Sequence, residues 1–287
     1  MAPTSGLASG LYVEDLSRRA TPDRVNCQLI GQLEVASAPL DPVPVVAIHG
    51  VLDSSRSFGR LARTLASTRQ VIAYDRRGYQ RSRGTDDPPR LSGHVDDLLA
   101  VLETYTPAGA VVLGHSYGGI VALAAASRGS SLLRGVVSYE PPLSWMPWWT
   151  DALDAGSRAL VPRPGQDPAE FADEFANVMI GPERWSRLGA AIKAEILLDG
   201  RAAATELSDL ARAVPFDPTA IHVPVVVVRG SAATARHARG ASWFVEHVPG
   251  AKLEVLDDAG HQAHLSAPHA LGTIVEELAA KVDASRR

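Results

Sequence analysis

The sequence predicts an α/β protein: a mostly parallel sheet with helices on both faces. Three observations predict it. Six short apolar runs punctuate the chain, segments with helical spacing lie between them, and one long stretch without strand signals interrupts the alternation. The runs are 43–49 (VPVVAIH), 70–75 (QVIAYD), 110–115 (AVVLGH), 133–139 (LRGVVSY), 223–229 (VPVVVVR) and 251–256 (AKLEVL). Most are rich in Val and Ile and apolar at successive positions, as strands buried on both faces must be. Alternation with helices makes them βαβ units of a doubly wound sheet.

In chain order, segment 12–35 alternates apolar and polar residues and reads as antiparallel strands at one sheet edge. Segment 56–67 puts Phe58, Leu61, Ala62 and Leu65 on one helical face, and 91–103 does the same with Val95, Leu98, Leu99 and Leu102. Segment 117–127 is small and aliphatic, suited to a helix packed closely on a sheet. Helices at 241–247 and 270–281 complete the series. From 141 to 215 there is no strand signal, and four of the five tryptophans fall there. An insertion of that length must carry structure of its own. With helical pieces at 168–179 and 184–198, it reads as a helical cap inserted into a core made of 1–140 and 216–287.

The 287 residues suffice for a substantial core, and the net charge of −4 is spread without a basic run that would serve nucleic acid or an anionic membrane. Cys27 is the single cysteine, which excludes an internal disulfide and a cysteine-rich zinc site and suits a reducing cytoplasm. No run of about 18 or more apolar residues predicts a membrane span, and MAPTSGLASG lacks the basic and apolar regions of a secretory leader. The expected partner is a small-molecule substrate.

Gly114-His115-Ser116-Tyr117-Gly118 matches G-x-S-x-G between a strand and a helix. A sharp turn there projects the Ser116 hydroxyl above the sheet, and the glycines keep side chains out of the crowded bend. A serine needs a base, and His261, in the loop after the last strand, can reach back across the strand ends. Of the other histidines, the turn points His115 elsewhere, and His264 and His269 are expected to face solvent. An oxyanion needs two backbone donors. Tyr117, directly after the nucleophile, supplies one; Val51, after His49-Gly50, is favoured over Leu52 for the other, although the same turn could be a plain strand end braced by His49.

Four ordered motifs, His49-Gly50, 75–82 (DRRGYQRS), 114–119 (GHSYGG) and Gly260-His261, make the chain resemble the α/β-hydrolase superfamily from about 43 to 280. The resemblance implies an eight-stranded, mostly parallel sheet. The family's second motif usually reads D-x-R-G-x-G-x-S; here Gln80 stands in for a glycine, and Asp75 and Arg77 are given a structural role. Most of the family carries its catalytic acid just after the strand at 223–229, but no Asp or Glu occurs from 230 to 242. Asp217 precedes that strand, Asp257 and Asp258 share a short loop with His261, and Glu246 closes a helix running away from the strand ends. Glu140 ends the run beside Ser116, with Pro141 and Pro142 fixing the exit of the chain. Some relatives, including a group of haloalkane dehalogenases, carry the acid at this strand end.

These residues point to an acyl-enzyme on Ser116 and to ester-like substrates: carboxylesters, thioesters or lactones. No metal and no organic cofactor is required. Acyl transfer or cyclisation, carbon–carbon hydrolysis, perhydrolysis and low-turnover binding stay open on the same residues. Trp145, Met146, Trp148 and Trp149, just past Glu140, could line an apolar substrate pocket or equally anchor cap to core. A histidine base must be neutral to take a proton, so turnover is expected to rise with pH through roughly 6 to 8; a flat pH–rate profile there counts against it.

Overall fold

A proline sets the start of two central strands. The computed structural model describes residues 12–15, 42–84, 90–151, 157–212 and 214–286. In it β1 is Tyr12–Asp15, β2 Val45–Ile48, β3 Val71–Asp75, β4 Ala110–His115, β5 Leu133–Tyr139, β6 Val225–Gly230 and β7 Lys252–Leu256. Strands β2 and β6 begin one residue after Pro44 and Pro224, which have no N–H for the ladder. Their carbonyls still join it, accepting from the N–H of Val111 at 3.0 Å and of Val136 at 2.9 Å.

The seven described strands run in the order β1-β3-β2-β4-β5-β6-β7. Every pair is parallel except β1 with β3, which is antiparallel. An eighth strand is not among the described residues, and both the rest of the expected edge segment (16–35) and Cys27 lie outside them.

The helices are α1 (Gly59–Leu65), α2 (Leu91–Tyr105), α3 (Tyr117–Ser127), α4 (Pro147–Asp151), α5 (Pro168–Ile180), α6 (Pro182–Arg187), α7 (Ala190–Leu197), α8 (Gly200–Leu210), α9 (Ala235–His247), α10 (Ala263–Ser266) and α11 (Pro268–Ser285). On one sheet face α2, α3 and α9 bury Leu98, Ile120, Leu123 and Phe244 against Val46, Ile48, Val112 and Val227. On the other, α1 and α11 bury Leu61, Leu65, Val275 and Leu278 against Val45, Ala47, Val111 and Val137. Neighbouring residues of one strand thus enter opposite cores, which is why the strands read as continuous apolar runs.

Between β5 and β6 the described residues form helices joined by loops, with no strand among them. The expected helix over 184–198 is two helices: Leu188 and Gly189 are extended (ψ 138° and 147°) and separate α6 from α7, at a glycine that gains little from helix. Helix α9 starts earlier than the apolar pattern suggests because its first turn, Ala-Arg-His-Ala, is polar. Phe171 and Phe175 of α5 pack with Ala203 and Leu207 of α8, and this small core extends to Val51 and Leu52 at the sheet edge. Gln80, at the usual glycine position, adopts φ 45°. Asp199 holds it there, accepting from the Gln80 side chain at 2.8 Å and from its backbone N–H at 3.2 Å.

Candidate active site

Ser116 sits between β4 and α3 at φ 53°, ψ −122°, a conformation a side chain adopts only when its surroundings enforce it. The bend is tight enough to require glycine on either side. A Cβ on Gly114 would lie 2.2 Å from the Gly118 carbonyl oxygen, and one on Gly118 would lie 2.3 Å from that of Ile48. The Ser116 N–H donates to the Tyr139 carbonyl at 2.8 Å, tying the turn to β5. As the first residue of α3, Tyr117 has no intrahelical partner for its N–H.

Glu140 directly follows β5 at φ 46° and is 1% exposed. Its Oε1 accepts the Gly230 N–H at 2.9 Å, and its Oε2 lies 2.7 Å from His261 Nδ1. A carboxylate only accepts, so Nδ1 carries the hydrogen and the Nε2 lone pair is free to take a proton. Two further bonds clamp the His261 loop to the strand ends. The Tyr139 hydroxyl donates to the Gly260 carbonyl, and His115 Nε2 donates to the His261 carbonyl at 2.7 Å.

The turn carrying Val51 is fixed from behind. The His49 ring accepts the Arg76 N–H at Nε2 (2.9 Å), so its Nδ1–H donates to the Gly50 carbonyl (2.8 Å). Burial, helped by Arg76, lowers the His49 pKa to about 4, so the ring stays neutral. The Arg76 guanidinium donates to the carbonyls of His49 (2.9 Å) and Gly50 (3.0 Å). In a trans peptide the C=O and N–H point in opposite directions, so anchoring the Gly50 carbonyl turns the Val51 N–H to the other side.

Arg76 is itself buried and paired with Glu206 of α8, with the Tyr79 hydroxyl donating to the same carboxylate at 2.7 Å. Burial disfavours both charges, but each holds the other ionised: the Arg76 pKa is raised and that of Glu206 lowered. Removing one partner leaves an uncompensated buried charge, so Glu206→Ala is expected to cost about 3–5 kcal/mol in urea denaturation at neutral pH. A carboxyl held below its ordinary range stabilises fully above the unfolded value, and that contribution fades as pH falls through the folded one. The mutational cost should therefore shrink in acid.

Ser116, His261, Val51 and Tyr117 line one cavity of about 670 Å³, counting its open mouth. Its other walls are mostly apolar and include Trp149, Phe175, Met179 and Leu207. Residues 45–272 match the Alpha/beta hydrolase family. The chain belongs to that family. Among relatives of this alpha/beta hydrolase, Lipase LipV of Mycobacterium tuberculosis is 29% identical over 256 residues, spanning 83% of this chain and 93% of the relative. A 2-(acetamidomethylene)succinate hydrolase of Mesorhizobium japonicum is 28% identical over 141 residues, 49% of this chain and 47% of its own. Similar folds occur in MGS-M2, an alpha/beta hydrolase enzyme from a Medee basin deep-sea metagenome library (TM-score 0.70, 16% identity, 93% of each chain). They also include the enol-lactonase from Burkholderia xenovorans LB400 (TM-score 0.63, 20% identity, 82% of this chain and 91% of that one).

Of the four residues expected in the pocket, only Trp149 lines this hydrolase's cavity. Trp145 packs edge-on against Phe216, Trp243 and Phe244, Met146 joins the same core, and Trp148 lies under the Arg239 guanidinium. An indole or thioether does not tell from sequence which side of a short helix meets the core.

One histidine departs from expectation, and a second is unexpected at the site. His264 is 1% exposed, its ring 5.2 Å from that of Phe58, rather than facing solvent; His269 is exposed. His237 of α9 lines the cavity, its ring 4.8 Å from that of His261 and 5.0 Å from that of Trp149. Burial pulls its pKa well below the ordinary value. No motif marks His237 in the sequence. Among the described residues, Glu140, His237 and His261 form one cluster of possible metal ligands and Asp53, His115 and His264 another.

Proposed function

We propose that this protein is a serine hydrolase that cleaves an ester-like bond (carboxylester, thioester or lactone) of a small apolar substrate through an acyl-enzyme on Ser116. The observation that carries the reading is the 2.7 Å contact from His261 Nδ1 to buried Glu140, on the wall of the cavity that Ser116 also lines. The Ser116 hydroxyl attacks the substrate carbonyl while His261 Nε2 takes its proton, and Glu140 stabilises the imidazolium. The N–H groups of Val51 and Tyr117 receive the oxyanion. The leaving group departs with the proton, and water, activated by His261, opens the acyl-enzyme. Residues 141–215 act as the cap and 1–140 with 216–287 as the core, so that Trp149, Phe175, Met179 and Leu207 of the cap close over the acyl chain above Ser116. Relatives named as a lipase and an enol-lactonase support the ester-like class.

The test is a series of nitrophenyl esters from acetyl to long acyl chains, alongside labelling by a fluorophosphonate. Hydrolysis of some member, with the label mapped to Ser116 by peptide mass spectrometry, is the expected result. No turnover across the series together with no label at Ser116 overturns the proposal.

A further inference from the structure

A second constellation stands beside the catalytic residues and takes no part in the acyl transfer described above. We propose that Asp53, His115 and His264 form a binding site for a borderline divalent metal ion such as Zn²⁺. The donor atoms are Asp53 Oδ2, His115 Nδ1 and His264 Nε2, all within 4.8 Å of one another. Asp53 Oδ2 is 3.5 Å from His264 Nε2 and 4.0 Å from His115 Nδ1. Atoms bonded to one tetrahedral zinc at ~2.1 Å stand ~3.4 Å apart, so a small contraction of the trio suffices.

Three features separate this cluster from an ordinary buried polar group. His115 and His264 are 5% and 1% exposed, yet His115 Nδ1 makes no hydrogen bond among the described residues, and His264 Nε2 meets Asp53 only at the long distance of 3.5 Å. Buried ring nitrogens are normally satisfied, and an orphan there calls for a partner. The His115 tautomer is also fixed: its Nε2 faces the His261 carbonyl at 2.7 Å. A carbonyl only accepts, so Nε2 carries the hydrogen and Nδ1 of the neutral ring presents a lone pair. Ligating histidines are oriented by such a bond from the second nitrogen. Asp53 is held in turn by the Ser54 N–H at 2.8 Å and the Ser57 hydroxyl at 3.0 Å.

Two imidazoles and one carboxylate suit Zn²⁺ or Co²⁺; Mg²⁺ and Ca²⁺ take oxygen shells. Asp53 and His115 also line a second cavity shared with Ser116 and His261.

The experiment is titration of Co²⁺ into chelator-stripped full-length protein, read by calorimetry and by the visible ligand-field band of a tetrahedral site. One Co²⁺ per chain is expected, displaced by Zn²⁺. Asp53→Asn and His264→Gln should each weaken binding at least about tenfold and abolish the band. His237→Gln, in the neighbouring cluster, should leave both unchanged. Circular dichroism checks folding, and Asp53→Asn carries the test if the buried His264 variant does not fold. Absence of stoichiometric uptake, unchanged binding in Asp53→Asn, or loss confined to His237→Gln overturns the assignment.

Discussion

Ser116→Ala is expected to lower kcat by about 10⁴-fold or more while the protein stays folded and its substrate affinity changes little. The substitution removes one oxygen from a partly exposed position at the head of α3 and keeps the Cβ on which the strained turn is built. Any loss of rate is then a loss of the nucleophile. Some acceleration over water would survive, because the Val51 and Tyr117 N–H groups and the apolar cavity remain. A burst of released nitrophenol at one equivalent per chain, present in the wild type and absent in the variant, is the direct readout. A variant that retains a burst would place the acyl group on another residue.

Glu140→Gln should cost nearly as much, on the order of 10³–10⁴-fold in kcat. The reason lies in the neighbour on the far side of the carboxylate. The Gly230 N–H, 2.9 Å from Oε1, demands an acceptor, so the amide introduced by the substitution turns its oxygen that way and its NH₂ toward His261. Nδ1 can then only accept, the ring hydrogen moves to Nε2, and Nε2 loses the lone pair that Ser116 needs. Glu140→Asp keeps the charge but withdraws it by one methylene, and an intermediate loss is expected. Turnover in Glu140→Gln above about a tenth of the wild-type value would be incompatible with this role.

These residues are readable in the sequence because each sits next to a strong local signal. Strands buried on both faces leave apolar runs, and the ends of β4 and β5 lie side by side in the sheet, so Ser116 and Glu140 fall at one rim. Absence of any acid from 230 to 242 directs attention to Glu140; the structure adds that Gly230, in that very stretch, supplies the N–H that binds it. The cavity wall is not readable in the same way. Trp145 and Trp148 differ from Trp149 only in rotation about a five-residue helix and the turn before it, and their environment is set by Trp243, Phe244 and Arg239 on α9. His264 carries no mark of burial, since its surroundings come from Asp53 and Phe58, some two hundred positions earlier. Glu206 is likewise one of two acids in α8, with nothing to set it apart from Asp209 until folding places it on Arg76.

That pairing bears on how such enzymes could be recombined. A designer exchanging the segment between β5 and β6 with that of a relative would be replacing what looks like a detachable roof. Here that segment carries the counterion for a guanidinium lodged under the His49–Gly50 carbonyls. A graft lacking an acid at position 206 would strand that cation and loosen the bend bearing Val51. Successful chimaeras should be those in which the roof and the arginine at position 76 are exchanged as one inherited unit.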